Sequence, residues 1–515
     1  MVAPRHPMTE QAHGGQADGY FNEAQQGKSR APPDYNQNYT TPNPSGEKQD
    51  FTQAFKLEKP KYNDIWAGIL LIITFLGFVA VSGLSIRGYA TNKNFNGDDI
   101  YDTVNDFGLN TNTLILFAFV LLVSLVFSWG YFLLARLYTK QFIWLTAILN
   151  IALGIGTAIV YFARQYYSAA VVFVVFSIFY IICFISWIPR IPFSVVMLQT
   201  VMDVAKNHGH IFTVSFLGGL TAVALSAWFS VTLTAIYVQY QPGANPACSD
   251  GGACSSAKVI GLLVFITFAG YWISEWLRQT IHTTIAGVYG SWYFCSQKPG
   301  GMPRGATRGA FRRATTYSFG SISFGSLVVS LVQLLRQAIS IARRSESQQG
   351  NIVGTILFCL LGCIVGLLEW AIKFINHYAF SHIALYGKAY IPAAKDTCMM
   401  RNRGIDALVN DCLIDPVLTM GALFIAYLCA FLAYLYLSFT APAYNSGGTF
   451  TPVVMAFSFL LGLQIANVFL TPLKSGTATL FVAMAWDPDV LRRDFPDLYD
   501  RIVAVYPRVV EMVHA

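Results

Sequence analysis

Ten runs of mostly apolar residues dominate the chain: 66–86, 113–135, 142–162, 168–188, 212–238, 259–285, 317–342, 352–375, 413–439 and 452–473. A helix that crosses a hydrocarbon core of about 30 Å needs about 20 such residues. In lipid the backbone must satisfy its own hydrogen bonds, which leaves the helix as the form for runs of this length. The pattern therefore predicts an all-α polytopic membrane protein with ten transmembrane helices. Composition agrees, because 12% charged residues is about half the usual share in a soluble domain. The net charge of +7 does not point to nucleic acid. The cations sit in short loops between the runs and form no basic stripe.

Positive charge sets the orientation. Twenty Lys and Arg flank the runs on the side of the termini, from Lys48 to Arg501, against six on the other side. Both termini are thus expected in the cytosol. The expected organisation is a disordered cytosolic tail over 1–60, a ten-helix transporter domain over 61–485 and a cytosolic C-terminal tail over 486–515. The N-terminal tail follows from composition: residues 1–55 hold no Leu or Ile and only Val2 among the larger aliphatics. Such a segment buries too little surface to offset its ordering entropy.

Three local features carry structural expectations. The sixth run continues to Phe294, so 36 residues from Val259 would make a helix of about 54 Å that must tilt, break or project. In 189–211, Leu198, Val201, Met202 and Ala205 share one face opposite Asp203 and Lys206, which reads as a helix lying in the membrane interface. Pro472 should kink or end the last helix near Lys474. Among nine cysteines only Cys248 and Cys254 fall in a loop on the outer side, where a disulfide is expected.

No GxxxxGK[ST], HExxH or GxSxG motif occurs, which disfavours an ATP-driven pump or a membrane hydrolase. No motif calls for a cofactor or a metal. The chemistry must come from ionisable residues inside apolar text, which face a bundle interior or a wet path. Two stretches stand out, EWLRQTIHTTIAGVYG from Glu275 and EWAIKFINHYAFSHIALYG from Glu369. Glu275 lies 16 residues after Val259 and Glu369 lies 17 after Ile352, so both carboxylates fall at similar depth. Tyr271, Glu275, Arg278, His282 and Tyr289 share a face, and Glu369, Lys373, Asn376 and His377 form a second cluster. The same spacing also allows Glu275–Arg278 and Glu369–Lys373 pairs that only satisfy each other.

Trp272, Trp276 and Trp370 flank the two carboxylates. Aromatic faces attract quaternary ammonium ions, although Trp also populates interfacial belts. Gln464 and Asn467 add polar groups deep in the last run, where Asn467 serves either as interhelical glue or as a ligand. The candidate substrate-binding set is Glu275, Trp272, Trp276, Arg278, His282, Glu369, Trp370, His377 and Asn467.

Four separated stretches, PRIPFSVVMLQT, YWISEWLRQTIHTTIAGVYGSWYF, INHYAFSHIALYGKAYIPAAKD and ANVFLTPLKSGTATLFVAMAWDPD, occur in the order found in the choline transporter-like family. The chain resembles that family, and its fungal branch in particular, over residues 60–505. The resemblance implies ten spans with cytosolic ends and ATP-independent transport of choline or a related quaternary amine through the plasma membrane. The implied partners are that small organic cation and membrane lipids. The first outer loop, 87–112, is short and acidic, unlike the long loop of animal members, so choline itself is implied by resemblance alone. The competing class is a non-transporting scaffold or channel, which would tolerate loss of both glutamates.

Overall fold

The computed structural model describes residues 61–92, 111–163, 165, 167–208, 210–240, 255–298, 300–400, 409–442, 445, 448 and 450–507. Among the described residues every regular element is a helix. In chain order these are α1 (Ile65–Asn92), α2 (Thr111–Leu137), α3 (Phe142–Ala163), α4 (Tyr167–Trp187), α5 (Ile191–Asn207), α6 (His210–Tyr240) and α7 (Ser256–Cys295). They continue as α8 (Ala306–Thr315), α9 (Phe319–Gln348), α10 (Ile352–Tyr386), α11 (Tyr390–Met399), α12 (Ile414–Thr440), α13 (Thr451–Trp486), α14 (Pro488–Asp494) and α15 (Pro496–Val505). Ten segments are long and apolar enough to cross a membrane: α1–α4, α6, α7, α9, α10, α12 and α13, with the fourth running through a 3-10 turn into α5. They coincide with the ten runs. The N-terminal tail and the Cys248–Cys254 pair lie outside the described residues.

Two helices form the axis of the bundle. α7 packs against α1, α6, α8, α9, α10 and α13, while α13 packs against α2, α5, α6, α7, α10 and α12. α10 leans on α9 and α7, and α12 leans on α2 and α3. The touching pair α7 and α13 thus forms a back wall, with α10 on one side and α12 on the other.

Packing is uneven along the membrane normal. At the end where α1 starts and α13 stops, burial is continuous over 279–291 of α7, 378–386 of α10 and 475–486 of α13. Toward the opposite end, α10 is largely exposed over 352–375, as befits an all-round apolar helix in lipid. Small residues allow the dense end to close. A Cβ on Gly476 would stand 2.7 Å from the Tyr289 ring, inside any real contact distance, so this crossing requires glycine. Tyr289 donates to the Val201 carbonyl at 2.7 Å and Tyr293 to the Asp487 carbonyl at 2.9 Å. Their phenols therefore have partners in a core shared with Phe193, Phe481 and Trp486, as buried hydroxyls require.

Polar clamps fix α1 and α11 to this plug. Asp64 accepts from Ser321 Oγ at 2.7 Å and from the Tyr390 backbone N–H at 2.9 Å. Burial pushes the Tyr390 phenol up to about 12. It is therefore a proton donor at neutral pH and gives its hydrogen bond to Asn376 Oδ1 at 2.5 Å.

Two sequence expectations are corrected. α13 does not end at Pro472 but runs on to Trp486. The proline removes one N–H, and burial on every side of 468–473 holds the helix together across the gap. α5 does present Leu198, Val201, Met202 and Ala205 on one face with Asp203 and Lys206 outside, but protein covers that face rather than lipid. α6, α13 and α15 pack against it. Of the three options for α7 the break is excluded: the helix stays unbroken for 40 residues, and its final turns enter the plug. The segment after the last span carries α14 and α15, with Leu491 and Ile502 buried.

Candidate functional site

The repeated Glu-Trp stretches lie on α7 and α10, which pack side by side. Their ionisable side chains meet just above the plug. Glu275, 5% exposed, accepts from Arg278 Nε at 3.1 Å, from Arg278 Nη2 and from Gln279 Nε2 at 2.7 Å. Glu369 accepts from Lys373 Nζ at 2.5 Å and from Arg336 Nη1 of α9 at 2.6 Å. Both carboxylates are thus fully neutralised by neighbours, which is the condition for keeping a charge inside a membrane.

The two histidines meet across the same interface. The His282 and His377 rings stand 5.3 Å apart, edge to face. His282 Nε2 lies 3.2 Å from Ser381 Oγ, and its backbone carbonyl accepts from Ser475 Oγ of α13 at 2.7 Å. Ser381 lies 3.3 Å from Thr479 Oγ1. A hydroxyl ladder therefore ties α7, α10 and α13 together at the floor of the layer. Above it Gln464 Nε2 donates to Ser274 Oγ at 3.0 Å, again joining α13 to α7.

Between those two ties lies a further ion pair. Lys474 Nζ of α13 is 3.4 Å from Asp415 Oδ1 of α12 and donates to Thr419 Oγ1 at 3.0 Å. Asp415 is within electrostatic reach of Arg278, His282 and His377, and Lys474 is within reach of Lys373. Three acids (Glu275, Glu369, Asp415) and four bases (Arg278, Arg336, Lys373, Lys474) from five helices occupy this one level. With neutral histidines this layer has no spare negative charge.

The tryptophans do not converge on the layer. Trp370 is 68% exposed and stacks on Phe374 at 5.9 Å. One residue from Glu369 is a rotation of about 100°, which turns it outward. Trp272 is fully buried and donates its indole N–H to the Ser323 carbonyl at 3.0 Å. Trp276 packs edge-on against Phe319 at 5.6 Å. Asn467 is half-buried on α13, three residues past Gln464, and its carbonyl accepts from Thr471 Oγ1 at 2.8 Å. Tyr289 belongs to the plug and Tyr271 donates to Gln337 of α9 at 3.1 Å. The structure thus joins Glu275, Arg278, His282, Glu369 and His377 and leaves the three tryptophans apart.

Asp415, Thr419, Lys474 and Arg336 are the residues that sequence reasoning missed. Arg336 was visible as a lone cation inside an apolar run. Asp415 and Lys474 each stand near the end of a run, where charges are common.

A family model described as "Plasma-membrane choline transporter" matches residues 171–489, a stretch that contains every charged residue of the layer. The chain belongs to the choline transporter-like family. Among its relatives in this family, Protein pns1 of Aspergillus fumigatus is 62% identical over 467 residues, covering 90% of this chain and 87% of the relative. Protein PNS1 of Saccharomyces cerevisiae is 44% identical over 468 residues, covering 89% and 87%. Membership of the choline transporter-like family makes the chain a multi-pass membrane transporter, with the charged layer beside the plug, at the end of the bundle where α1 starts and α13 stops.

Proposed function

We propose that the protein moves a small organic cation, choline or a related quaternary amine, through the plasma membrane by alternating access without ATP. Both termini and the dense plug then face the cytosol, a placement that the 20-to-six distribution of positive charge favours. The observation that carries the reading is the layer of four ion pairs, three acids with four bases, from five helices, in a bundle whose other spanning residues are mostly apolar. Charges placed there mark a substrate path. The layer lies beside the plug, so a path entering from the outer face would end at it, which is where a carrier holds its cargo before the inner side opens.

Glu275 and Glu369 frame this site and keep Arg278, Arg336 and Lys373 in place. His282 and His377 form its floor. The test is uptake of labelled choline and a panel of quaternary and primary amines into proteoliposomes that hold the purified protein and no nucleotide. Saturable uptake of one quaternary amine, competed by its unlabelled form, is expected. If no amine of the panel enters faster than into empty vesicles, the proposal fails.

A further inference from the structure

The three carboxylates of the layer are not equivalent. Glu275 and Glu369 are buried and saturated by close donors. The Asp415 side chain is 56% exposed, although residues of α7, α10 and α13 surround it electrostatically. Its contact with Lys474, at 3.4 Å, is longer than the about 2.7–2.9 Å of a strong charge-assisted hydrogen bond. Lys474 holds Thr419 more closely, at 3.0 Å, and its side chain is only 11% exposed. Of this pair the carboxylate is the more exposed and the ammonium the more buried, so an approaching ligand meets the carboxylate first and finds it loosely held.

We propose that Asp415 receives the ammonium head of the substrate, and that Lys474 is a built-in ammonium that occupies Asp415 while the site is empty. This rests on the transporter reading above and names the residue that reads the cargo. The ligand class is a compact ammonium, quaternary or protonated. The bond to Asp415 is ionic, so no N–H donor is needed.

The exchange explains why a carboxylate can sit in a layer with no spare negative charge. A bare Asp415 would resist the dehydration that accompanies closing of the site, because an unpaired charge in a low-dielectric interior is strongly unfavourable. With substrate bound, the cargo neutralises it. Without substrate, Lys474 does. Asp415 is then neutralised in both the loaded and the empty carrier, while the displaced Lys474, left with the Thr419 hydroxyl one helical turn from Asp415, becomes the uncompensated charge of the loaded site. Arg278 cannot take this part, since Glu275 grips it through both Nε and Nη2.

Two transport modes separate this exchange from a structural role. Net uptake requires the empty carrier to return, whereas counterflow between choline-filled vesicles and labelled choline outside uses loaded carriers only. Proteoliposomes of the full chain are compared with Asp415→Asn and Lys474→Gln. Asp415→Asn is expected to lose tenfold or more in both modes. Lys474→Gln is expected to lose tenfold or more in net uptake, keep counterflow within about twofold and show a lower half-saturation concentration, because a competitor for Asp415 is gone. Elution of each variant as a single symmetrical species in detergent excludes misfolding. A fall of both modes together in folded Lys474→Gln, or wild-type transport by Asp415→Asn, overturns the exchange while leaving the transporter reading intact. Failure of the wild-type protein to move choline or any other amine overturns both.

Discussion

Removing the Glu275 carboxylate tests whether this residue is scaffold or ligand. In Glu275→Gln the shape is kept, but Arg278 loses the charge that holds it through Nε and Nη2, and Gln279 loses an acceptor at 2.7 Å. Two unit charges 3.1 Å apart attract by about 5 kcal/mol at an effective dielectric of about 20. Stranding one member of a buried pair costs about 3–5 kcal/mol. Arg278 is 26% exposed and has Asp415 within reach, so the lower end, about 3 kcal/mol, is expected. Glu275→Gln with Arg278→Gln removes both charges and should recover all but about 1 kcal/mol, because a neutral amide pair can still form hydrogen bonds. The assay is a double-mutant cycle of unfolding in detergent, read by tryptophan fluorescence, alongside amine uptake. A single substitution that leaves stability within about 0.5 kcal/mol yet lowers transport tenfold, a change of about 1.4 kcal/mol in the barrier, would refute the reasoning and make Glu275 a ligand.

Three further outcomes are expected. Gly219→Val should destabilise the bundle by at least about 1–3 kcal/mol, since even a Cβ there would lie 2.1 Å from the Phe469 ring; detergent melting checks it. Trp370→Ala should leave amine uptake within twofold of wild type, because this ring faces away from the layer; a tenfold loss would return it to the site. A cysteine at position 305, in the turn before α8, should resist an impermeant thiol reagent applied to intact cells and react after permeabilisation, as a cytosolic location demands.

The spans were legible because run length alone decides them in a membrane. The face of α5 was legible too, but amphipathicity tells which side is apolar and not whether lipid or protein covers it. Glu275, Glu369, His282 and His377 could be read because an ionisable residue inside apolar text is rare enough to stand out. Asp415 and Lys474 could not, because each stands near the end of a run, where charges are common. If α13 stopped near Pro472, Lys474 would reach into headgroups. Since the helix runs on to Trp486, Lys474 is inside the bundle and Asp415 becomes its partner. The tryptophans neighbour the carboxylates in sequence, yet Trp370 and Trp276 follow them by one residue, which on a helix means a different face.

The central claim is that the charged layer is a water-reached seat for a small cation. Thr419, exposed one turn from Asp415, reports on it directly. In a chain whose exposed Cys359, Cys363 and Cys398 are replaced by serine, Thr419→Cys is alkylated with a small positively charged thiol reagent, with and without saturating choline. The account predicts modification from the aqueous phase and at least a fivefold slower rate when choline is present. An equal rate in both conditions, with choline uptake intact, would place the cargo elsewhere and contradict it.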